Sequence, residues 1–364
     1  MTTGHREGLS IVVPVYQEDP KIFMKAIDSW LANSVERIIL VIDVTDTACQ
    51  EVAEVYADDR VETILTEVPG KRAALRLGWE QARTPLVALV DSDTIWAPDV
   101  AERVSEPFAD PGIGGVGTRQ SVHNPRSLWQ KINDMYLDYR YFDENAAQTV
   151  MGQAVSCLSG RTAVYRRDLL LQMGDDFLTE TFMGVPCMSG DDKRLTSLLL
   201  EAGYRTYMQR SARVWSTFPT EARIFFRQRL RWARNTWRSD LRALGRGWVW
   251  KRHRFLAFSM LDKAVSSFTL LVSPAVMVIA LVNRDLRFAG ILALWWLVSR
   301  SAKMLPHLQR RPRSIFLIPL FVLLSFVMCL VKIWALCTIR EQRWLTREVE
   351  VIDGSVVRTA EFAT

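Results

Sequence analysis

The sequence predicts an α/β fold with a mainly parallel sheet, followed by a small helical region suited to a membrane. Four short apolar runs in the first ninety residues alternate with stretches of helical character. Strands that alternate with helices are typical of βαβ units, whose sheet is covered on both faces. After about Gly247 the sequence becomes largely apolar, which separates a soluble part from a part suited to lipid.

The order of the elements follows from these runs. Strands are expected at residues 10–15, 38–42, 61–65 and 86–90, with helices near 20–33, 47–57 and 70–83. The run GIGGVG at 112–117 does not stand at a strand–helix junction, so we interpret it as a loop that enters a strand at 116–122. Residues 157–170 predict a strand, a turn and a helix start, and a helix that follows residues 189–194 is expected to end at Gly203.

Residues 221–244 predict a basic amphipathic helix that contains the run QRLRW. At 100° per residue the helix has one apolar stripe, formed by Phe226, Leu230, Ala233, Trp237, Leu241 and Leu244. Gln228, Arg231 and Trp232 project from the other side, where an amide, a guanidinium and an indole suit a sugar and a pyrophosphate. The alternative is a surface helix whose arginines reach out of the lipid interface.

Composition narrows the class of protein. The 364 residues carry a formal net charge of +6, and their arginines concentrate beside apolar segments. This clustering favours a membrane surface or anionic ligands over nucleic acid. The five cysteines form no CxxC spacing, which indicates reduced thiols in a cytosolic domain. No apolar segment opens the chain, so no signal peptide is expected.

Acidic residues follow two of the predicted strands. Asp43 closes the second strand, and Asp91 and Asp93 close the fourth, in the run LVALVDSDT. Ligands of such sheets bind at the carboxyl ends of the strands. Two carboxylates one residue apart can face a divalent cation and its bound pyrophosphate, although a solvated turn is also compatible with this run.

Two further runs carry charges at predicted helix starts. Lys71 and Arg72 follow Gly70, where free backbone N–H groups and two cations would hold phosphate oxygens. Asp191 and Asp192 precede a later predicted helix, and a carboxylate at a helix N-terminus is either a simple cap or a general base. None of the four histidines stands where a catalytic base is expected, which makes a carboxylate the default base.

Together these runs resemble the processive, inverting glycosyltransferases of family 2, over residues 10–347. The branch is that of hyaluronan synthases, chitin-oligosaccharide synthases and cellulose synthase-type enzymes. The resemblance implies a Rossmann-like GT-A domain that binds a nucleotide-sugar. Its implied donor-site residues are Asp43, Lys71, Arg72, Asp91 and Arg347, with Asp91 and Asp93 as ligands of Mg²⁺ or Mn²⁺.

The same resemblance assigns the reacting groups. Asp192 in the run CMSGDDKRLT would be the catalytic base, with Asp191 beside it. In QRLRW, Arg231 would contact the leaving diphosphate and Trp232 the acceptor sugar, and Gln228 belongs to the same signature. The implied acceptor site comprises Trp232, Ser159, Gly160 and Cys187, although Arg161 stands where the family has proline. The run RWLTR at 343–347 resembles the gating motif of the family.

Three apolar stretches follow, at 255–282, 288–305 and 315–338. Basic residues flank the first two, so the positive-inside rule makes them a hairpin with both ends cytoplasmic. Either the third is re-entrant or it is a plain third crossing with an inert tail. The expected divisions are a cytosolic glycosyltransferase domain at 1–220, the interface helix and a basic linker at 221–254, membrane helices at 255–338 and a cytosolic tail at 339–364.

These expectations describe a multi-pass enzyme of the plasma membrane, with its catalytic domain in the cytoplasm. It would transfer a sugar from a UDP-sugar to a growing β-linked polysaccharide. Its partners would be the donor, an oligosaccharide or lipid-linked acceptor and the bilayer, with oligomerisation as a way to complete a channel. One alternative adds a single sugar to a lipid carrier. A non-enzymatic membrane scaffold would be expected to lose the acids that this chain retains.

Overall fold

A computed structural model of the protein describes residues 8–342, 349–352 and 355–358. These residues divide into two compact units. The first unit contains the described residues up to 123, then 148–217 and those from 340 onward. The second unit contains residues 124–147 and 218–339. The division of the chain at 220, 254 and 338 stays a prediction.

All strands of the described residues belong to the first unit. They are β1 (Leu9–Val15), β2 (Arg37–Asp43), β3 (Val61–Thr66), β4 (Leu86–Val90), β5 (Ile95–Trp96), β6 (Ile113–Val122), β7 (Thr162–Arg166), β8 (Thr181–Phe182), β9 (Val185–Pro186), β10 (Arg205–Ser216), β11 (Val349–Ile352) and β12 (Ser355–Arg358).

The helices occur in both units. They are α1 (Pro20–Leu31), α2 (Thr47–Glu54), α3 (Lys71–Gln81), α4 (Val100–Ser105), α5 (Leu128–Tyr139), α6 (Asn145–Gly152), α7 (Arg167–Leu178), α8 (Asp191–Ala202), α9 (Ala222–Arg246), α10 (Trp248–Arg252), α11 (Arg254–Thr269), α12 (Val272–Val282), α13 (Leu286–Lys303), α14 (Leu305–Arg310) and α15 (Ile318–Cys337). A π-helical segment spans Arg140–Glu144, and 3₁₀ segments span Glu106–Ala109 and Pro312–Leu317.

Eight strands form one sheet, in the order β3-β2-β1-β4-β7-β6-β10-β5. Strands β1 to β4 pair in parallel, as do β6 and β10. Strand β7 lies antiparallel between β4 and β6, and β5 pairs antiparallel with β10. Every residue of β1 and β4 is buried, as expected for strands covered on both faces. The predicted α/β fold with a mainly parallel sheet is confirmed.

Two local predictions were wrong. The run GIGGVG is not a loop, because β6 begins at Ile113 and already includes most of it. Its glycines are packed closely: a Cβ on Gly115 would lie 2.6 Å from Leu158 Cδ1. In the run that begins at Cys157, the strand comes after the turn at Ser159–Gly160 and not before it.

Helix starts in the first unit follow ordinary capping chemistry. Asp19 accepts hydrogen bonds from the backbone N–H groups of Lys21 and Ile22, and Pro20 occupies the first helical position of α1. At the far end of α8, Gly203 has φ 97°, a left-handed conformation that ends the helix where the sequence predicted.

The second unit has its own apolar core. Its buried members come from α5, α9, α15 and the segments that precede α15: Ile132, Met135, Phe225, Met304, Ile318, Phe321, Val322 and Leu324. Of the predicted apolar stripe of helix α9, Trp237 is buried, Phe226 and Leu230 are partly buried and Leu241 is exposed. The helix also buries polar side chains, among them Arg234 and Arg238.

Those buried polar side chains of α9 bind the end of α15. The guanidinium of Arg234 donates to Thr338 Oγ1 at 2.9 and 3.1 Å, and Arg238 Nε donates to the Ile339 carbonyl at 2.9 Å. The indole N–H of Trp237 donates to the Lys332 carbonyl at 2.8 Å. These hydrogen bonds satisfy the buried polar groups of α9, and the negative end of the α15 dipole favours the two cations.

Two helical segments of the second unit are long and apolar enough to cross a bilayer by length and composition: Arg254–Val282 and Pro312–Cys337. The first is divided into α11 and α12. In the second, α15 is continuous through Ser325 and Lys332, and Pro319 lies in its first turn. The stretch predicted at 288–305 forms α13.

Glycine 78 sets how closely α3 approaches the sheet. A Cβ at Gly78 would lie 2.2 Å from Val12 Cγ1 and 3.2 Å from Val41 Cγ2, so α3 lies directly on β1 and β2. We expect Gly78→Ala to destabilise the protein by about 1–3 kcal/mol through overpacking. The helical Gly245 has no atom near its Cβ position, and Gly245→Ala should be neutral or stabilising. Thermal unfolding of both variants in detergent checks this, and equal midpoints would contradict it.

Candidate functional site

The site in the first unit forms where β2, β4, α3 and α8 bring charged groups to the carboxyl edge of the sheet. Helix α3 begins at Lys71, directly after Gly70, whose φ of 113° only glycine adopts readily. Helix α8 begins at Asp191 after Gly190, which is left-handed with φ 86°. Both glycines therefore place a charged residue at the first position of a helix.

Lys71 joins two of the predicted acids. Its Nζ lies 2.7 Å from Asp91 Oδ1 and 2.9 Å from Asp191 Oδ2, and all three side chains are largely buried. Burial alone would lower the pKa of Lys71, but Asp191 and Asp91 outweigh it and raise the pKa above its usual value. Burial alone would raise the pKa of Asp191, but Lys71 outweighs it and holds that pKa below the usual value. Lys71 and Asp191 therefore form a charged ion pair.

Asp93 has different partners from Asp91. Its Oδ2 accepts hydrogen bonds from the backbone N–H of Thr217 at 3.0 Å and from its hydroxyl at 2.5 Å. Burial raises the pKa of Asp93, although the charge of Arg161 opposes this effect. The residue between the two acids, Ser92, is buried and donates to Glu18 Oε2 at 2.8 Å. The two carboxylates offer only oxygen atoms, the donor type that hard divalent cations such as Mg²⁺ and Mn²⁺ prefer.

Asp192 differs from its neighbour Asp191 in the groups that its carboxylate contacts. Its Oδ1 accepts from the backbone N–H of Lys193 at 2.8 Å, and its Oδ2 accepts from the thiol of Cys157 at 3.5 Å. Across the described part of the chain, no lysine or arginine pairs with this carboxylate. Consecutive residues of a helix point about 100° apart, which explains how one acid reaches Lys71 and the other does not.

Among the predicted acceptor residues, Gly160 lies next to the charged groups of the site. A Cβ on Gly160 would lie 3.1 Å from Lys71 Nζ and 3.3 Å from Asp191 Oδ2, so the Ser159–Gly160 turn runs directly beside the acids. Cys187 instead contacts Gln342, whose Nε2 lies 3.6 Å from its Sγ. No sequence signal distinguishes Cys157, whose thiol contacts Asp192.

Asp43 organises the turn that follows β2. It is buried, and its Oδ1 accepts from the backbone N–H of Thr45 at 3.0 Å and from the Thr45 hydroxyl at 2.6 Å. Nearby, Asp46 Oδ2 accepts from the backbone N–H of Gln17, a residue with φ 50°. The first unit thus places Asp43 on the same edge as Asp91, as the strand pattern indicated.

Arg72 does not join the acids that its neighbour Lys71 contacts. Its side chain is buried, and its terminal nitrogens donate to Glu180 Oε2 at 2.6 Å, to the Phe177 carbonyl at 2.8 Å and to the Ser189 carbonyl at 3.2 Å. Glu180 belongs to no motif in the sequence and was missed. No sequence signal links it to Arg72, from which it is 108 residues distant.

The remaining predicted residues lie outside this unit or outside the described residues. Gln228, Arg231 and Trp232 belong to α9 of the second unit, where the Trp232 ring stacks near the guanidinium of Arg229, 5.1 Å away. Arg347 and the rest of the WLTR run lie outside the described residues.

A buried acidic cluster of the second unit was also missed. His307 Nδ1 lies 2.6 Å from Asp138 Oδ2, and Arg311 Nε lies 3.0 Å from Asp134 Oδ2. Asp134, Asp138 and His307 lie close enough to one another to hold a metal ion. However, Arg310 also pairs with Asp138, so two arginines already balance the two carboxylates. The cluster ties α5 to α14.

The chain is similar to known glycosyltransferases. Residues 5–235 match the family described as "Glycosyltransferase like family 2". An N-acetylglucosaminyltransferase of Rhizobium leguminosarum bv. viciae is 34% identical over 65% of this chain and 57% of its own length. A hyaluronan synthase of Streptococcus pyogenes is 26% identical over 94% of this chain and 84% of its own length. The chain thus spans less than two thirds of the first relative.

A solved structure agrees on the fold. The mannosyltransferase PcManGT from Pyrobaculum calidifontis, in complex with GDP-Man and Mn2+, superposes with a TM-score of 0.59. The match covers 92% of this chain and 87% of that one, at 19% sequence identity. The likeness extends over most of both chains and confirms the predicted GT-A fold.

The Lys71 contacts predict a pH-dependent loss of stability in Lys71→Met. Near neutral pH the variant leaves two acids without their cation, which should lower the free energy of unfolding by about 3–5 kcal/mol. Since Lys71 lowers the pKa of Asp191, the stabilisation is present above the ordinary pKa of an aspartate, about 4, and is lost as pH falls through the lowered value. The difference between variant and wild type should therefore shrink in acid.

Denaturant unfolding at pH 7 and at about pH 3 measures this difference. The exposed Lys21 is the matched control, and Lys21→Met should leave stability unchanged at both pH values. A Lys71→Met penalty of the same size at both pH values would contradict the ion-pair explanation.

Proposed function

The chain belongs to glycosyltransferase family 2, and from this premise we propose that it is a membrane-bound, inverting polysaccharide synthase. It would transfer a sugar from a UDP-sugar to a growing β-linked chain of the hyaluronan or chitin type. The observation that carries the proposal is the contrast between the two acids that begin α8. Lys71 neutralises Asp191, whereas Asp192 keeps a carboxylate that no cation pairs with among the described residues. Such a carboxylate can accept a proton.

Asp192 would act as the general base. It takes the proton of an acceptor hydroxyl while that oxygen forms a bond to the anomeric carbon of the donor. The bond from this carbon to the diphosphate breaks on the opposite side, and UDP leaves with the electron pair. Attack from the opposite side inverts the configuration, so an α-linked donor yields a β-linkage. The Ser159–Gly160 turn beside Asp191 would border the acceptor.

Charge that grows on the departing diphosphate needs stabilisation. Asp91 and Asp93 would hold Mg²⁺ or Mn²⁺, which supplies positive charge to the diphosphate when it is bound. The ammonium of Lys71 lies between Asp91 and Asp191, at the same end of the site, and would contact the diphosphate oxygens. Asp43 would bind the nucleoside. Gln228, Arg231, Trp232 and Arg347 stay predicted site residues.

We place the enzyme in the plasma membrane, with the first unit in the cytoplasm. The support comes from the two candidate membrane spans and from the exposed basic residues beside them, such as Lys251, Arg252 and Arg313. Partners of the proposed enzyme are the UDP-sugar, an oligosaccharide or lipid-linked acceptor, and the bilayer. Self-association would add walls to a channel.

Asp192→Asn tests the base. Because general-base catalysis contributes about 10²–10⁴-fold, we expect turnover to fall by that factor while UDP binding is retained. Asp168, an exposed acid in the first turn of α7, is the matched control, and Asp168→Asn should turn over like wild type. Release of UDP from purified protein in detergent measures this. Wild-type turnover by Asp192→Asn would exclude Asp192 as the base.

Product analysis tests the proposed polymer. Purified protein is screened with UDP-sugars in the presence of Mg²⁺ or Mn²⁺, beginning with UDP-N-acetylglucosamine because one relative carries that activity in its name. We expect a ladder of oligomers that depends on the metal. A single-sugar glycolipid would support the alternative enzyme, and no UDP release with any donor would support a non-enzymatic role.

Cysteine labelling tests the position of the WLTR run. A single cysteine at position 347 in an otherwise cysteine-free protein should resist a membrane-impermeant maleimide in intact cells and react after lysis. Labelling from outside would exclude a role of Arg347 at the nucleotide. A cysteine at the exposed, cytoplasmic Lys21 position serves as the control for an inside location.

A further inference from the structure

The contacts of Arg72 leave little of its guanidinium for a ligand. Both terminal nitrogens donate to protein oxygens, on Glu180, Phe177 and Ser189. The guanidinium carbon also lies 5.1 Å from the centre of the buried Phe177 ring. One terminal nitrogen donates both of its hydrogens, to Glu180 and Ser189, so a diphosphate could bind that nitrogen only if the buried ion pair with Glu180 were broken, which would leave an uncompensated charge in the interior. The Nε of Arg72 is also buried and has no hydrogen-bond partner among the described residues.

The three acceptors of Arg72 belong to segments that lead to α8. Phe177 lies at the end of α7, and Glu180 lies at the base of the β8–β9 hairpin. The Glu180 carbonyl accepts from the backbone N–H of Cys187 at 2.8 Å, which closes that base. Ser189 immediately precedes the left-handed Gly190. Arg72 therefore connects the end of α7, the hairpin and the turn into α8.

A second arginine strengthens the same connection from the side of α8. Nε and a terminal nitrogen of Arg194 donate to the Asp176 carbonyl at 3.2 and 2.8 Å. The carbonyls at the end of α7 thus bind two guanidinium groups, one from α3 and one from α8, in keeping with the negative end of a helix. The start of α8 is held on both sides of Gly190.

We propose that Arg72 is a positioning residue, whose buried ion pair with Glu180 fixes the Ser189–Gly190 turn and thereby places the carboxylates of Asp191 and Asp192. This inference rests on the proposed function, because the importance of the turn comes from Asp192. The neighbouring residues Lys71 and Arg72 would then have different roles. Lys71 contacts the charged groups of the site, whereas Arg72 contacts buried groups of the interior. It also replaces the diphosphate contact that the sequence pattern implied for Arg72.

Steady-state kinetics and UDP binding separate the two roles of Arg72. The variants are Arg72→Lys, Arg72→Gln, Glu180→Gln and the double variant Arg72→Gln/Glu180→Gln. We expect kcat to fall by up to about 100-fold in the single variants, because small displacements of a catalytic group have effects of that size. The Kd of UDP with Mn²⁺, measured by calorimetry, should stay within about threefold of wild type, the change that a difference of 0.6 kcal/mol produces.

The double variant tests the coupling. If Arg72 and Glu180 act as one unit, the double variant should lose no more activity than the worse single variant. Both side chains are neutral in the double variant, so neither leaves an unpaired charge in the interior. The control is Arg76 on the same helix, whose guanidinium reaches the highly exposed Asp175 of α7 at 2.7 Å. Arg76→Gln should retain wild-type kcat.

The opposite results would overturn the inference. A rise of more than tenfold in the Kd of UDP in the Arg72 variants, with Glu180→Gln unaffected, would make Arg72 a diphosphate ligand. Wild-type kcat in the isosteric Glu180→Gln would also overturn it, and this variant decides the question if the Arg72 variants do not fold. Asp192→Asn keeps the two proposals apart: if it retains turnover, the assigned base is wrong, whereas the coupling of Arg72 with Glu180 is still measured by the double variant.

Discussion

The position of one ammonium group determines how the first unit can be assembled. Asp91 follows a strand, Asp191 begins a helix, and the two carboxylates would repel each other if they lay this close without a cation. Lys71 lies within 2.9 Å of both. Its place depends in turn on Gly70, which directs the chain into α3, and on Gly78, which lets α3 lie directly on the sheet. The backbone conformation at Gly70 and the close packing at Gly78 therefore determine where the ammonium of Lys71 lies relative to the two carboxylates.

The sequence predicted much of this arrangement because the relevant signals are local. Buried apolar runs identified β1 to β4, and the carboxyl ends of such strands share one edge, which placed Asp43 and Asp91 together. Capping chemistry located the start of α3 and the end of α8. The resemblance to the family then added predicted roles for Asp192 as a base and for Asp91 and Asp93 as metal ligands, roles that spacing alone left open.

The contacts that the sequence did not predict join residues that are distant along the chain. Nothing in a single sequence connects Arg72 with Glu180, or Asp93 with Thr217, which is 124 residues away. Strand β7 lies antiparallel between β4 and β6. The sequence does not predict this direction, because a short apolar run has the same pattern in a parallel and in an antiparallel strand. The apolar stripe of α9 was predicted from periodicity, but nothing in that pattern indicated that Arg234 and Arg238 would be buried against Thr338 and Ile339.

The same bonds between α9 and α15 have a mechanical consequence. Arg234 and Arg238 bind Thr338 and Ile339, the two residues that follow α15, and Trp237 binds the carbonyl of Lys332, nearly two turns earlier. Directional bonds spaced along two helices resist sliding and rotation far more than an apolar contact does, because a shift of one residue would break all of them. Within the second unit, we therefore expect α9 and the end of α15 to move as one rigid body whenever either helix is displaced.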